Sequence, residues 1–209
     1  MSNYIGVPGG APGIQRDERI GNLDSRQQRV NALPARDNWI LSTLPVGMVV
    51  DDQTVLTANL LRLYFIGQIV RETAIRQARV NITTAAASQR VRTALYRYDI
   101  ENVTNRRFMK LPESEATFLG DSAGLQSINL PSGAVVTPGF LFLGVKVSND
   151  AVGVGGLDLA VVNRTMPIYT FQDNSGIMAP VLDIPLLTKS YTGKVLDVLY
   201  LSPDAAQVL

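Results

Sequence analysis

From Ile40 onward the chain consists of short apolar runs of four to nine residues, separated by Gly, Pro, Asn, Asp and Ser. Apolar positions that alternate over such short runs mark half-buried strands, and the intervening residues are turn formers. The clearest strand spans residues 140–147, where Leu141, Leu143, Val145 and Val147 fall on one face. Thr137-Pro138-Gly139 precedes it; proline presets its own φ and glycine accepts positive φ, so the string reads as a turn. Residues 91–98, 157–162 and 195–201 carry the same signal, and further strands are expected at 46–50, 63–70, 78–84, 125–130 and 168–171. Between residues 57 and 87 the apolar positions also suit a helix. The β-branched Ile66, Ile69 and Val70, with Gly67 among them, weigh toward strand, because branching at Cβ costs side-chain freedom in a helix and fits a pleated sheet.

Eight or more short strands without a long helix predict an all-β protein, and a jelly-roll-like antiparallel β-sandwich is the commonest two-sheet solution at that strand count. Residues 1–39 break the pattern. Glycines and prolines come first, followed by a polar stretch rich in arginine and glutamine, with few residues to bury. They read as an extended N-terminal arm that stays mobile, orders against a partner, or forms a short surface helix. The division expected is therefore an arm at 1–39 and a sandwich body at 40–209. On ordering, the arm would bury Ile14, Ile20, Leu23 and Val30 and set Arg16, Arg19, Arg26 and Arg29 against acidic neighbours.

Composition narrows the chemistry. The chain has no histidine and no cysteine, which removes imidazole bases, thiolate nucleophiles, His/Cys zinc sites and disulfides. Gly120-Asp121-Ser122-Ala123-Gly124 matches the Gly-x-Ser-x-Gly string of nucleophile elbows, but a serine nucleophile of that kind needs an imidazole to take its proton. What remains is a serine–lysine dyad drawing on Lys110, Lys146, Lys189 or Lys194. The simpler reading is a small-residue turn between strands. Gly153-Val154-Gly155-Gly156 resembles the start of a phosphate loop, yet Asp158 stands at the place of the last glycine, so a flexible hairpin connection is expected. Glu113 with Glu115, or Asp158 with Asp183, read as solvated surface acids. No catalytic residue, cofactor or metal site is expected, and the chain is read as non-enzymatic.

Charged residues make up 18% of the chain, below the roughly 25% usual in soluble domains, as expected of a subunit that hides surface in a homo-oligomer. Residues 62–110 hold ten basic residues against three acids, and residues 111–209 hold four against nine. These halves can face each other within or between subunits. The basic residues are scattered singly and no nucleic-acid-binding motif accompanies them, so nucleic acid is not an expected partner. Neither is membrane: no run approaches the roughly 20 apolar residues of a span, and residues 1–30 carry no secretory pattern. Synthesis in a cytoplasm follows. Tyr96 and Tyr98 alternate on one strand and are candidates for an oligomer interface or for stacking on a glycan, whereas the phenylalanines Phe140 and Phe142 are expected in the sandwich core.

The succession Val91-Arg92-Thr93-Ala94-Leu95-Tyr96-Arg97-Tyr98-Asp99, then Met109-Lys110-Leu111, residues 125–130, and Val136-Thr137-Pro138-Gly139-Phe140-Leu141-Phe142-Leu143-Gly144-Val145 resembles a module of bacteriophage virion proteins. In that group an "arginine, alanine-leucine-tyrosine, aspartate" strand precedes a "proline-glycine, aromatic" strand that runs back through a jelly roll. The resemblance covers residues 63–147. It implies a virion protein, commonly trimeric, that decorates or cements a capsid or forms a head fibre, with major capsid or tail proteins as partners and no catalytic residues. A tail-fibre, collar or adaptor role is the alternative, with loops near 99–107 and 151–156 recognising a host-surface glycan. The chain lacks the coiled coil or repetitive shaft of a long fibre.

Overall fold

The computed structural model describes residues 40–44, 52–99, 106–162 and 166–202. The expected strand at 46–50 and the arm residues Ile14, Arg16, Arg19, Ile20, Leu23, Arg26, Arg29 and Val30 lie outside the described residues.

The strands, in chain order, are β1 (Ile40–Ser42), β2 (Asp52–Val55), β3 (Leu60–Ile69), β4 (Thr73–Ala74), β5 (Gln77–Thr84), β6 (Arg90–Asp99), β7 (Arg107–Lys110), β8 (Ala116–Leu119) and β9 (Gly124–Asn129). They continue as β10 (Val135–Val136), β11 (Gly139–Val147), β12 (Gly153–Asp158), β13 (Ile168–Gln172), β14 (Val181–Asp183), β15 (Thr188–Ser190), β16 (Lys194–Leu196) and β17 (Val198–Leu201). One helical turn, α1 (Leu159–Val162), follows β12, and a 3-10 turn at Ile184–Leu186 follows β14. The stretch 57–87 carries strands β3, β4 and β5 and no helix, as its β-branched residues favour. The protein is an all-β antiparallel sandwich.

Strand order defines the sandwich as a jelly roll. One sheet contains the path β2-β12-β5-β9, and the other contains β3-β11-β6-β8. Along the chain these eight strands fall in the first, second, first, second, second, first, second and first sheet, the alternation of two interlocked Greek keys. Beyond them, β16 and β17 wedge between β12 and β5, with Asp197 at the break donating its N–H to Gly155 O and accepting from Asn81 N. The second sheet is extended by β13 and β15 beyond β3 and by β7 and β14 beyond β6.

Alternation decides which residues meet. Leu141, Leu143, Val145 and Val147 of β11 and Val91 and Leu95 of β6 point into the space between sheets, where they join Ala78, Val80, Ile82, Val154, Val198 and Tyr200 in one buried cluster. Tyr200 ties the layers together: its hydroxyl donates to Ser114 O at 2.7 Å and lies 2.9 Å from Thr93 Oγ1. Burial pushes the Tyr200 phenol well above its ordinary range, so it remains a neutral donor.

Two expectations are corrected here. The strand expected at 157–162 lies earlier, at Gly153–Asp158, and residues 159–162 are helical. The run Gly153-Val154-Gly155-Gly156 is that strand, fully buried, and neither a hairpin connection nor an exposed loop. Its glycines answer crowding: a Cβ on Gly153 would lie 2.8 Å from Thr84 Oγ1, and one on Gly156 would lie 2.9 Å from Val195 O. Thr83 and Thr84 of β5 crowd the first of these glycines and β16 crowds the second, leaving no room for side chains there.

Candidate functional site: an aromatic cleft inside the curled sheet

The other face of β3, β11 and β6 is apolar too. Leu61, Leu63, Ala94, Tyr96, Phe108 and Phe142 form a second buried cluster with Met178 and Leu182. The reason is curvature. Phe108 on β7 and Tyr169 on β13 are four strand steps apart in the sheet, which a flat sheet would separate by about 19 Å at ~4.8 Å per strand. Their ring centroids are 5.3 Å apart. The sheet therefore curls into a half-barrel whose concave face encloses a core of its own. A β-bulge on β3 helps to place the rings. Between Leu141 and Phe142 the partner on β3 jumps from Gly67 to Phe65, and Gly67 takes φ 143, a conformation that favours glycine.

One end of the half-barrel is covered by the segment from Asp173 to Pro180. Met178 fills the hollow above Gly144, where a Cβ would lie 2.7 Å from the Tyr96 ring and 3.1 Å from the Met178 methyl. Two charge clusters hold the segment down. Lys146, only 3% exposed, donates from Nζ to Asp173 Oδ2 at 2.9 Å, Ser175 O at 2.8 Å and Ile177 O at 2.5 Å. Glu115 accepts from Lys110 Nζ at 2.6 Å, Arg92 Nη1 at 3.2 Å and the Met178 N–H at 3.3 Å. Burial raises the Asp173 and Glu115 carboxyls, but their hydrogen bonds and cationic partners outweigh it, and both sit below the ordinary range.

At the other end the cover stops short and a cleft of about 340 Å³ remains. Its walls are Phe65, Tyr98, Phe108, Phe140, Phe142 and Tyr169. The rings meet edge to face or tilted, with Phe108–Phe142 centroids at 4.5 Å, Phe65–Phe142 at 5.3 Å and Tyr98–Phe108 at 5.5 Å, the geometry their quadrupoles prefer. Met166 and Ile184 add apolar surface, and Arg106 and Lys189 are the cations in the lining. Lys189 Nζ sits 5.8 Å from the centre of the Tyr169 ring, within cation–π range. Burial, then the neighbouring Tyr191 and Tyr98 hydroxyls, raise the Tyr169 phenol, which stays protonated. The volume falls within the range of small-molecule sites.

The sequence candidates divide. Tyr98 is half-buried and lines the cleft, whereas Tyr96 is fully buried with its hydroxyl donating to Ala179 O at 2.8 Å. Tyr96 is a core residue beyond the reach of a glycan, and the covering segment, invisible to local periodicity, is what buries it. Phe140 and Phe142 line the concave face and not the inter-sheet core. Ser122 is exposed in the turn between β8 and β9, where Asp121 Oδ1 accepts from the Ser88 N–H at 2.9 Å. Glu115 is no solvated acid, being held by two cations. Among the described residues no group of three or more acids forms a metal cluster. Phe65 and Phe108 were not singled out from the sequence; the available signal was the surplus of aromatics on strands whose opposite face already supplied a core. The chain matches no protein-family profile and no curated protein sequence.

Proposed function

We propose that this chain is a non-enzymatic structural protein of a bacteriophage particle, which decorates or cements the capsid through residues 1–39 and presents the jelly-roll body outward as a homotrimer. The observation that carries the reading is the strand order: the segment that resembles virion modules, residues 63–147, supplies five of the eight jelly-roll strands complete and most of a sixth. A doubly cored body resists local opening, a property that suits an exposed particle component. The glycan-recognition alternative drew on Tyr96, Tyr98 and loops near 99–107 and 151–156. Tyr96 is in the core and 153–156 are in a buried strand, which takes these groups away from that alternative.

The test is immunogold electron microscopy of purified particles with antibody raised against the full chain. Label over the head is the expected result; label confined to the tail would replace decoration with a collar or adaptor role, and unlabelled particles would refute both. Deleting residues 1–39 should leave the thermal transition of the body in place and abolish its attachment.

A further inference from the structure

We propose that the aromatic cleft is a binding site for a small amphipathic acid: a flat apolar or aromatic body carrying one anionic group, carboxylate or sulfonate. This inference goes beyond attachment to a particle and holds whether or not the body is particle-bound.

Three observations fix the ligand class. The floor and walls are ring faces and edges from β3, β6, β7, β11 and β13, brought together by the curl. The polar groups at the lining are two cations, Arg106 and Lys189, and two phenols, Tyr98 and Tyr169, with no carboxylate among the described lining residues. Of the described acids on adjoining elements, Asp99 is bound by Arg107 Nε at 3.2 Å, and Asp183 is exposed outside the lining. Among the described residues neither Arg106 nor Lys189 has an ion pair, and both cations stand in the lining where an entering anion would meet them.

The same inventory argues against a sugar. Each hydroxyl drawn between the rings would need a partner, and leaving one buried without a hydrogen bond is costly, while the walls offer chiefly apolar carbon. An acid with a flat apolar body leaves no such group behind. Its rings replace water against Phe65, Phe140 and Phe142, and its charge stays at the mouth beside Arg106 and Lys189.

Anilinonaphthalene sulfonate is a suitable probe because its fluorescence rises in a dry apolar site and it carries a single anion. Phenylnaphthylamine offers the same body without the charge. Titration of the full chain should give one saturable site for the sulfonate, bound more tightly than the neutral amine. Replacing both rim cations, Arg106→Gln with Lys189→Gln, should weaken the sulfonate by about tenfold, the size of two partly screened charge contacts, leaving the neutral amine and the thermal transition unchanged. Arg106→Lys with Lys189→Arg should restore most of the affinity. Phe140→Ser, with folding checked by its thermal transition, should weaken both dyes. Equal affinity for the two dyes, an unaffected double glutamine variant, or displacement of the dye by a neutral sugar more readily than by naphthoate would each overturn the proposal.

Discussion

Replacing Lys146 by methionine tests whether the covering segment of the half-barrel is held by charge. Lys146 and Asp173 side chains are 3% and 5% exposed and meet at 2.9 Å. The other two ammonium protons go to the carbonyls of Ser175 and Ile177, so all three donors are used. Methionine keeps most of the stem volume and removes only the charge and the donors. The Asp173 carboxylate would retain the Ser175 N–H, the Ser175 hydroxyl and the Ala179 N–H. Breaking a buried pair costs about 3–5 kcal/mol, and these three remaining bonds place Lys146→Met at about 3 kcal/mol. Urea denaturation reads the global loss, and hydrogen exchange at the Met178 and Ala179 amides reads local opening of the cover. The pH dependence supplies a second check. Asp173 is depressed in the folded state, so its contribution is complete above the unfolded carboxyl value near ~3.9 and is lost as pH falls through the lower folded value. The gap between the native chain and Lys146→Met should therefore be full at neutral pH and close in acid. A loss under about 1 kcal/mol with unchanged exchange at both amides would refute the account.

Three further outcomes follow from other sites. Gly144→Ala should destabilise by about 1–3 kcal/mol through overpacking against Tyr96 and Met178, while Gly133→Ala, with nothing within 4 Å of the added carbon, should not; thermal melts of the pair decide. Asp197 is raised, first by burial and only partly countered by the Asn81 hydrogen bond, so its ionisation opposes folding: stability is full below the unfolded carboxyl value and declines as pH rises through the folded one. Asp197→Asn should be more stable than the native chain at neutral pH, with the difference vanishing in acid, and a constant difference across denaturation curves at several pH values would contradict this. Tyr200→Phe leaves the Thr93 hydroxyl and Ser114 carbonyl without their buried partner and should cost about 1–3 kcal/mol in urea denaturation, with no loss counting against the network.

The strand β5 was legible because alternation survives where a strand keeps one dominant buried face, while β6 and β11 were legible as short apolar runs bounded by turn residues. The face of the aromatics was not, because both faces of the curled sheet are buried. Leu60–Ile69 and Gly139–Val147 then read as nearly continuous apolar runs, and periodicity cannot say which side meets which layer. Gly153 to Gly156 misled for a related reason. Glycine is chosen equally by a turn that needs freedom and by a strand that lacks space, and only the neighbouring strands β5 and β16 tell them apart. Lys146 alternates with valines like a surface lysine, but a segment 27 residues further on buries it.

By itself the sequence determined the class of the protein: short alternating runs compel strands, and the absence of histidine and cysteine removes their chemistry whatever the fold. Tertiary structure decided the strand order, the curl and the cleft. These depend on contacts between residues far apart in the chain, such as Phe108 with Tyr169 and Lys146 with Asp173, whose energies come from burial and pairing in three dimensions and leave no period in the sequence.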